Sequence, residues 1–228
     1  MTPQETQQQQ WINDKALEQG AEVLQIFPIP LYIKKDAVTQ DDILCLRDQE
    51  PLPEHDLVAN WGTVSKNNYT LWRPECKDLK DKLCLYVNDF ANNILGHAGD
   101  FSITQSWVSV KRPYEMHQLH MHPNSIISGV LYYDNQGPEG LTFIKPTAGL
   151  DVYSLKPTPN NMNNVFTHSH VKVNVENYML VLFPSYLQHT VDMNTSQVNR
   201  YSMAFNCMPT YQLGLMNDLT QLQMPNFE

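Results

Sequence analysis

The chain is short of positive charge. Its 228 residues carry 15 Lys and Arg against 24 Asp and Glu, a formal net charge of −9 with a pI near 5.3. The basic face that neutralises phosphates is missing, which counts against electrostatic wrapping of nucleic acid. Lys34-Lys35 and Lys111-Arg112 are only adjacent pairs, the usual solvated strand ends. No stretch approaches the roughly 20 apolar residues of a membrane span. Met1 to Gln10 is polar and glutamine-rich, lacks the apolar core of a signal peptide, and reads as a frayed tail. The four cysteines, Cys45, Cys76, Cys84 and Cys207, contain no C-x-x-C pair and are too sparse for a disulfide scaffold. They read as reduced, which points to a cytoplasmic location. No internal repeat is present.

What remains is a chain with 42% hydrophobic and 17% charged residues, long enough for one sizeable core. Residues 1–23 read as a flexible tail, 24–210 as a single domain and 211–228 as a C-terminal tail. Within the domain, 38–100 reads as helical support and 101–208 as a jelly-roll core. Leu24 to Ile33, broken by Pro28 and Pro30, suits an edge strand, because proline cannot donate to a ladder. Val38 to Gln49 is predicted helical, with Thr39 as N-cap. A longer helix is predicted from Pro74 to Leu95, with Leu79, Leu83, Tyr86, Val87, Phe90 and Ile94 on one face and Gly96 at its stop.

From Phe101 the period changes to strands: Trp107 to Val110, Ile126 to Tyr133, Leu141 to Ile144, Tyr178 to Phe183 and Tyr201 to Cys207. Strands separated by turns after a helical part predict a mostly β fold, a sandwich or jelly roll supported by N-terminal helices. A polar insertion rich in Pro and Asn, residues 146–176, is long enough to be functional and is expected to act as a substrate-facing lid.

Histidines carry the chemistry. His120 and His122 lie two apart, so a regular strand projects both to one side, and a third ligand can arrive from a distant strand. His189, which follows Phe183-Pro184-Ser185, is a candidate for it. Neutral imidazole suits zinc, copper, iron and nickel. His117 is out of phase with the pair and should face away. His168-Ser169-His170 is a second H-x-H inside the insertion, read as a solvated or substrate-loop pair. Asp192 is expected off the metal face. Arg200 stands about one strand beyond His189, where its planar fork can grip a carboxylate.

Taken together, Trp107, His120-Met121-His122-Pro123-Asn124-Ser125, Ser128 to Tyr133, Gly140 to Phe143, Leu182 to Ser185, His189-Thr190-Val191 and Arg200 to Asn206 resemble the Fe(II)- and 2-oxoglutarate-dependent oxygenases. The branch it looks most like is common in marine bacteria and their phages. That resemblance implies a double-stranded β-helix, with His120, His122 and His189 on Fe(II) and Arg200 with Ser202 on the far carboxylate of 2-oxoglutarate. His122 stands where the wider superfamily has a carboxylate. The implied reaction uses dioxygen and gives succinate, carbon dioxide and a hydroxylated C–H carbon. The substrate is expected to be a protein side chain or small molecule, and a homodimer stays open. Two rival readings are a three-histidine, cupin-like dioxygenase that does not use 2-oxoglutarate, and a non-enzymatic phage jelly-roll module.

Overall fold

The computed structural model describes residues 17–24, 27–47, 63–135, 137, 139–146, 166 and 168–222. In chain order the elements are β1 (Tyr32–Lys34), α1 (Leu44–Arg47), β2 (Thr63–Val64), a short turn of helix at Thr70–Trp72, another at Pro74–Cys76, and α2 (Lys77–Asp89) continued by a wider turn at Phe90–Ile94. Then come β3 (Phe101–Lys111), β4 (His117–His120), β5 (Ile127–Tyr133), β6 (Leu141–Ile144), β7 (His170–Val173), β8 (Leu180–Pro184), β9 (His189–Val191) and β10 (Arg200–Pro209). Among the described residues no helix is long and apolar enough to cross a membrane.

Two antiparallel sheets face one another, in the orders β1-β8-β5-β10-β3-β2 and β4-β9-β6-β7, which is a jelly roll. The larger sheet separates two cores, because its strands alternate faces. One face, with Ile103, Val108, Leu131, Leu182, Met203 and Phe205, packs under α2. The other, with Val130, Tyr132, Val181, Phe183 and Ala204, meets Leu141, Phe143 and Val173 of the smaller sheet inside the barrel. β5 is buried at every position. Gly129 sits at its centre because a Cβ there would fall 2.2 Å from Phe205 Cζ. No larger residue fits without moving that ring.

The predicted long helix is present, and Leu79, Leu83, Val87 and Phe90 are buried as its apolar face requires. Burying each such side chain contributes about 1.5–3 kcal/mol. Ile94 departs from that face and is 55% exposed, since the wider turn at Phe90–Ile94 rotates it outward. The first helix is shorter than predicted: regular helix covers only Leu44–Arg47, with residues 48–50 outside the described part. Thr39 and Asp42 still cap one another reciprocally, Asp42 N–H donating to Thr39 Oγ1 and Thr39 N–H to Asp42 Oδ2. Among the described residues of Leu24 to Ile33, only Tyr32 and Ile33 enter a strand; it begins beyond the two prolines and takes the edge of the larger sheet.

Two expectations are corrected. The 146–176 insertion does not run unbroken, because His170–Val173 forms β7 and pairs with β6 in the register Leu141↔Val173. β6 otherwise keeps one edge unpaired, which explains the added strand. The lid expected of the rest lies mostly at 147–165, outside the described residues. The second correction concerns the cysteines. Cys45 and Cys76 form a disulfide with Cα atoms 5.4 Å apart, leaving Cys84 and Cys207 as thiols. The packing of α1 on the start of the long helix brings together two residues 31 positions apart. No local spacing announces it. Cysteine usage therefore no longer supports a reducing compartment. The region read as a C-terminal tail is also anchored at its start, where Tyr211 packs on Phe101 and its hydroxyl lies 3.2 Å from His97 Nδ1.

Candidate metal centre

His120, His122 and His189 come together at one end of the barrel. One imidazole nitrogen from each lies within 4.8 Å of the other two. Three different elements place them. His120 ends β4 and pairs directly with His189, the first residue of β9. His122 lies beyond the strand end, held by its backbone N–H donating to Ser185 O at 3.0 Å. The ring centroids are 4.3 Å (His120–His189), 5.2 Å (His122–His189) and 5.3 Å (His120–His122) apart.

Each ring is fixed from behind. His120 Nδ1 donates to Gln118 O at 2.8 Å, His189 Nδ1 to Leu187 O at 3.0 Å, and His122 Nδ1 to Asn206 Oδ1 at 2.7 Å. An amide or peptide oxygen only accepts, so all three protons sit on Nδ1 and the three Nε2 lone pairs are left to converge. Asn206 is itself set, since its Oδ1 also accepts from Ser128 Oγ at 3.0 Å and its Nδ2 donates to Gln105 Oε1 at 3.1 Å. Burial keeps these rings neutral. It depresses His122 to about 4 and His189 to about 3, and lowers His120 as well. Neutral imidazole is the form that binds metal.

Aromatic walls surround the rings. Trp107 stacks on His122 at 5.8 Å, Phe183 stands edge-on to His189 at 4.7 Å, and Phe143 lies 5.6 Å from His189. Phe143 and Leu187 also line a cavity of about 550 Å³ shared with Phe27, Ile29, Phe166 and His168.

His117 corrects the alternation argument. It stacks on His120 at 4.0 Å rather than facing away, because the β4–β9 ladder is irregular between His117 and His120. Burial, then the neighbouring His120, pushes its pKa down to about 2. Its nitrogens are not part of the three-ring cluster. His168 and His170 lie apart from the triad, on the wall of the apolar cavity. Asp192 turns its carboxylate to Thr142 Oγ1 at 2.7 Å and Lys172 Nζ at 3.0 Å.

Arg200 begins β10 on the barrel-facing side and is 3% exposed. Its Nη1 donates to Glu139 O at 2.7 Å and its Nη2 to Asp192 O at 2.9 Å, which leaves further guanidinium N–H groups available. Ser202 sits two residues on, on the same face, beside Tyr132 in the register. Lys111, opposite Arg200 on β3, is buried, and burial with the adjacent guanidinium lowers its ammonium to about 8. Asn206, Ser128, Tyr132 and Lys111 carry no motif of their own as site residues. Only their place on the same strand face as Arg200 and Ala204 could have found them.

Residues 105–206 match the model of a family described as "Putative 2OG-Fe(II) oxygenase". Solved structures share the fold. A 2OG-Fe(II) oxygenase-family oxidoreductase from Burkholderia pseudomallei is 12% identical, with a TM-score of 0.51 over 73% of this chain and 76% of that one. HygX from Streptomyces hygroscopicus, solved with nickel and 2-oxoglutarate, is 11% identical, with a TM-score of 0.55 over 80% and 84%. A prolyl-4-hydroxylase from Pseudomonas putida is 12% identical, with a TM-score of 0.53 over 78% and 92%. A comparison with curated proteins returned no match. The family match covers under half of the chain, and the structural likeness shows a shared fold.

Proposed function

We propose that this chain is a 2-oxoglutarate-dependent non-haem iron oxygenase that hydroxylates a C–H bond of a protein side chain or small molecule, with Fe(II) on His120, His122 and His189. The observation that carries the ligand set is the common tautomer: three Nδ1–H groups bonded to oxygen acceptors, and three remaining nitrogens within 4.8 Å of one another. That donor set fits Fe(II), for which imidazole is a suitable ligand. Three imidazoles bring no negative charge, so the dianionic cosubstrate supplies the compensation that an Asp or Glu gives in a two-histidine, one-carboxylate site. When bound, iron, 2-oxoglutarate and dioxygen supply oxidative decarboxylation to succinate and carbon dioxide, coupled to oxidation of the substrate.

The protein's own part is positioning and exclusion of water. Arg200 and Ser202 hold the far carboxylate of 2-oxoglutarate, with the Arg200 fork pre-set by the two backbone carbonyls it already grips. Trp107, Phe143 and Phe183 keep the rings dry. The apolar cavity sharing Phe143 and Leu187 favours a substrate that presents a hydrocarbon or aromatic body to the metal.

Anaerobic titration of the purified chain with Fe(II) and then 2-oxoglutarate tests this reading. The visible charge-transfer absorption of the chelate should appear only with both, and succinate should form on admission of air. The all-histidine donor set also suits a dioxygenase that does not use 2-oxoglutarate. Turnover that survives Arg200→Ala would favour that alternative.

A further inference from the structure

The cavity that Phe143 and Leu187 share with the chain before β1 has its polar groups on one side. It holds about 550 Å³, within the range of small-molecule sites. Among the described residues that line it, Lys145, His168 and His170 are the only polar side chains, and none is acidic. In a chain with 24 Asp and Glu against 15 Lys and Arg, that lining runs opposite to the overall charge. The rest is hydrocarbon or aromatic, including Phe27, Ile29 and Leu31 from the segment before β1.

The three polar residues are held together. Ile144 pairs with His170 across β6 and β7, and the Lys145 N–H donates to Ser169 O at 2.9 Å, so Lys145 lies against the His168-Ser169-His170 run. An ammonium only donates hydrogen bonds, and each imidazole carries at least one N–H. One formal cation with neighbouring donors matches a single carboxylate. Phe143 pairs with His189 on one side and with Val171 on the other. The backbone entering β7 therefore lies two strand spacings, about 10 Å, from that of the distal histidine. A ligand whose acid group rests on Lys145 lays its body past Phe143 toward the histidine cluster.

Polypeptide does not suit this lining. Each residue brings an amide N–H and C=O, and burying such groups against apolar walls without partners costs free energy. A free hydrocarbon or aromatic body carries no such groups. We propose that the substrate is a small apolar monocarboxylic acid, with its carboxylate on Lys145, His168 and His170 and its body in the cavity beside Phe143. The inference rests on the proposed function and narrows it to a small molecule. It places the oxidised C–H bond at the end of the body remote from the carboxylate. One oxygen atom of dioxygen becomes the hydroxyl there and the other enters succinate, as 2-oxoglutarate loses carbon dioxide.

Decanoate, decanol and decylamine test this, since they share one hydrocarbon body and carry an anionic, a neutral and a cationic head. Calorimetry on the full chain without metal reads the cavity independently of the iron site. Decanoate should bind at least roughly tenfold more tightly than either of the others, as expected for a charge-assisted contact. Lys145→Met should bring decanoate down to the level of decanol and leave decanol unchanged, while Lys145→Arg keeps the preference. Equal affinity for decanoate and decanol overturns the inference, and so does a Lys145→Met variant that binds decanoate as the wild type does. A loss that decanol shares overturns it too, because the substitution then acts on the cavity and not on the carboxylate. With Fe(II) and 2-oxoglutarate added anaerobically, bound decanoate should shift the visible absorption of the chelate as it fills the space beside the metal. A chelate that forms but does not respond to bound decanoate overturns the inference alone. A wild-type chain that binds decanoate and forms no chelate overturns the iron reading, and with it the role of this ligand as substrate.

Discussion

Replacing Asn206 by leucine should strip iron from the site while leaving the fold standing. Asn206 Oδ1 lies 2.7 Å from His122 Nδ1, and both residues are nearly closed to water, at 6% and 8% exposure. Leucine keeps the volume and removes the acceptor of that Nδ1–H. An unsatisfied buried donor costs about 1–3 kcal/mol, and the ring recovers it by turning away from the converging geometry. Loss of a partner behind a metal-bound histidine typically lowers affinity about 10–100-fold, or roughly 1.4–2.7 kcal/mol. The two estimates agree, so a tenfold to hundredfold weaker Fe(II) constant is expected by anaerobic titration. Ser128 Oγ keeps Ser185 Oγ at 2.8 Å as a neighbour, and half-buried Gln105 can turn to solvent, so little else is disturbed. Asn206→Asp should behave differently. It keeps an acceptor for His122 and strengthens the ligand's basicity, so its iron affinity should equal or exceed wild type. If Asn206→Leu binds iron as tightly as wild type with an unchanged unfolding midpoint, the hydrogen bond does not orient His122 and the reasoning fails.

His189→Ala should lose iron yet give a wild-type far-UV spectrum, because its β9 neighbours and the core around Phe183 remain; full iron occupancy by elemental analysis would remove it from the ligand set. Arg200→Lys should weaken 2-oxoglutarate at least tenfold, about 1.4 kcal/mol, while sparing iron, since a planar fork becomes a point charge; a titration showing equal affinity rejects Arg200 as the anchor. The metal-free protein should lose stability as pH falls below 6.5. His122 and His189 stay neutral in the fold down to about 4 and about 3, whereas the unfolded chain protonates near 6.5. By pH 5.5 each ring then costs about 1.4 kcal/mol, near 3 kcal/mol together. Thermal unfolding in a chelator at pH 7.5 and 5.5 measures this, and equal midpoints contradict it.

The strands of this fold were legible because their apolar runs are long or strictly alternating. Ile127–Tyr133 and Leu141–Ile144 match their sequence readings to within a residue. β7 was not, because His170–Val173 has only Val173 buried and takes its structure from pairing with β6. The histidine cluster was legible as spacing, yet the physical basis differs from simple alternation. His122 has left the strand, and an irregular ladder swings His117 back onto His120. Such irregularities are set by the partner strand, which the local sequence does not describe. The Cys45–Cys76 pair and the Asn206–His122 contact span 31 and 84 positions and leave no local trace.

Charge bears on the proposed cosubstrate. A protein with a formal charge of −9 should repel a dicarboxylate, and it does so least where its acids are turned away. Inside the barrel the metal-facing groups are neutral imidazoles, and the opposite end holds Arg200 and Lys111, buried to 3% and 2% exposure. Two buried cations facing one another across β10 and β3 are unfavourable alone: burial lowers both, and the guanidinium lowers the Lys111 ammonium further. Under the proposed function a dianion spanning the barrel would answer both needs at once. One carboxylate would offset the negative charge that three histidines do not bring, and the other would relieve the repulsion between Arg200 and Lys111. The departure at His122 and the second cation at Lys111 would then be two parts of one electrostatic arrangement, each depending on the same bound molecule.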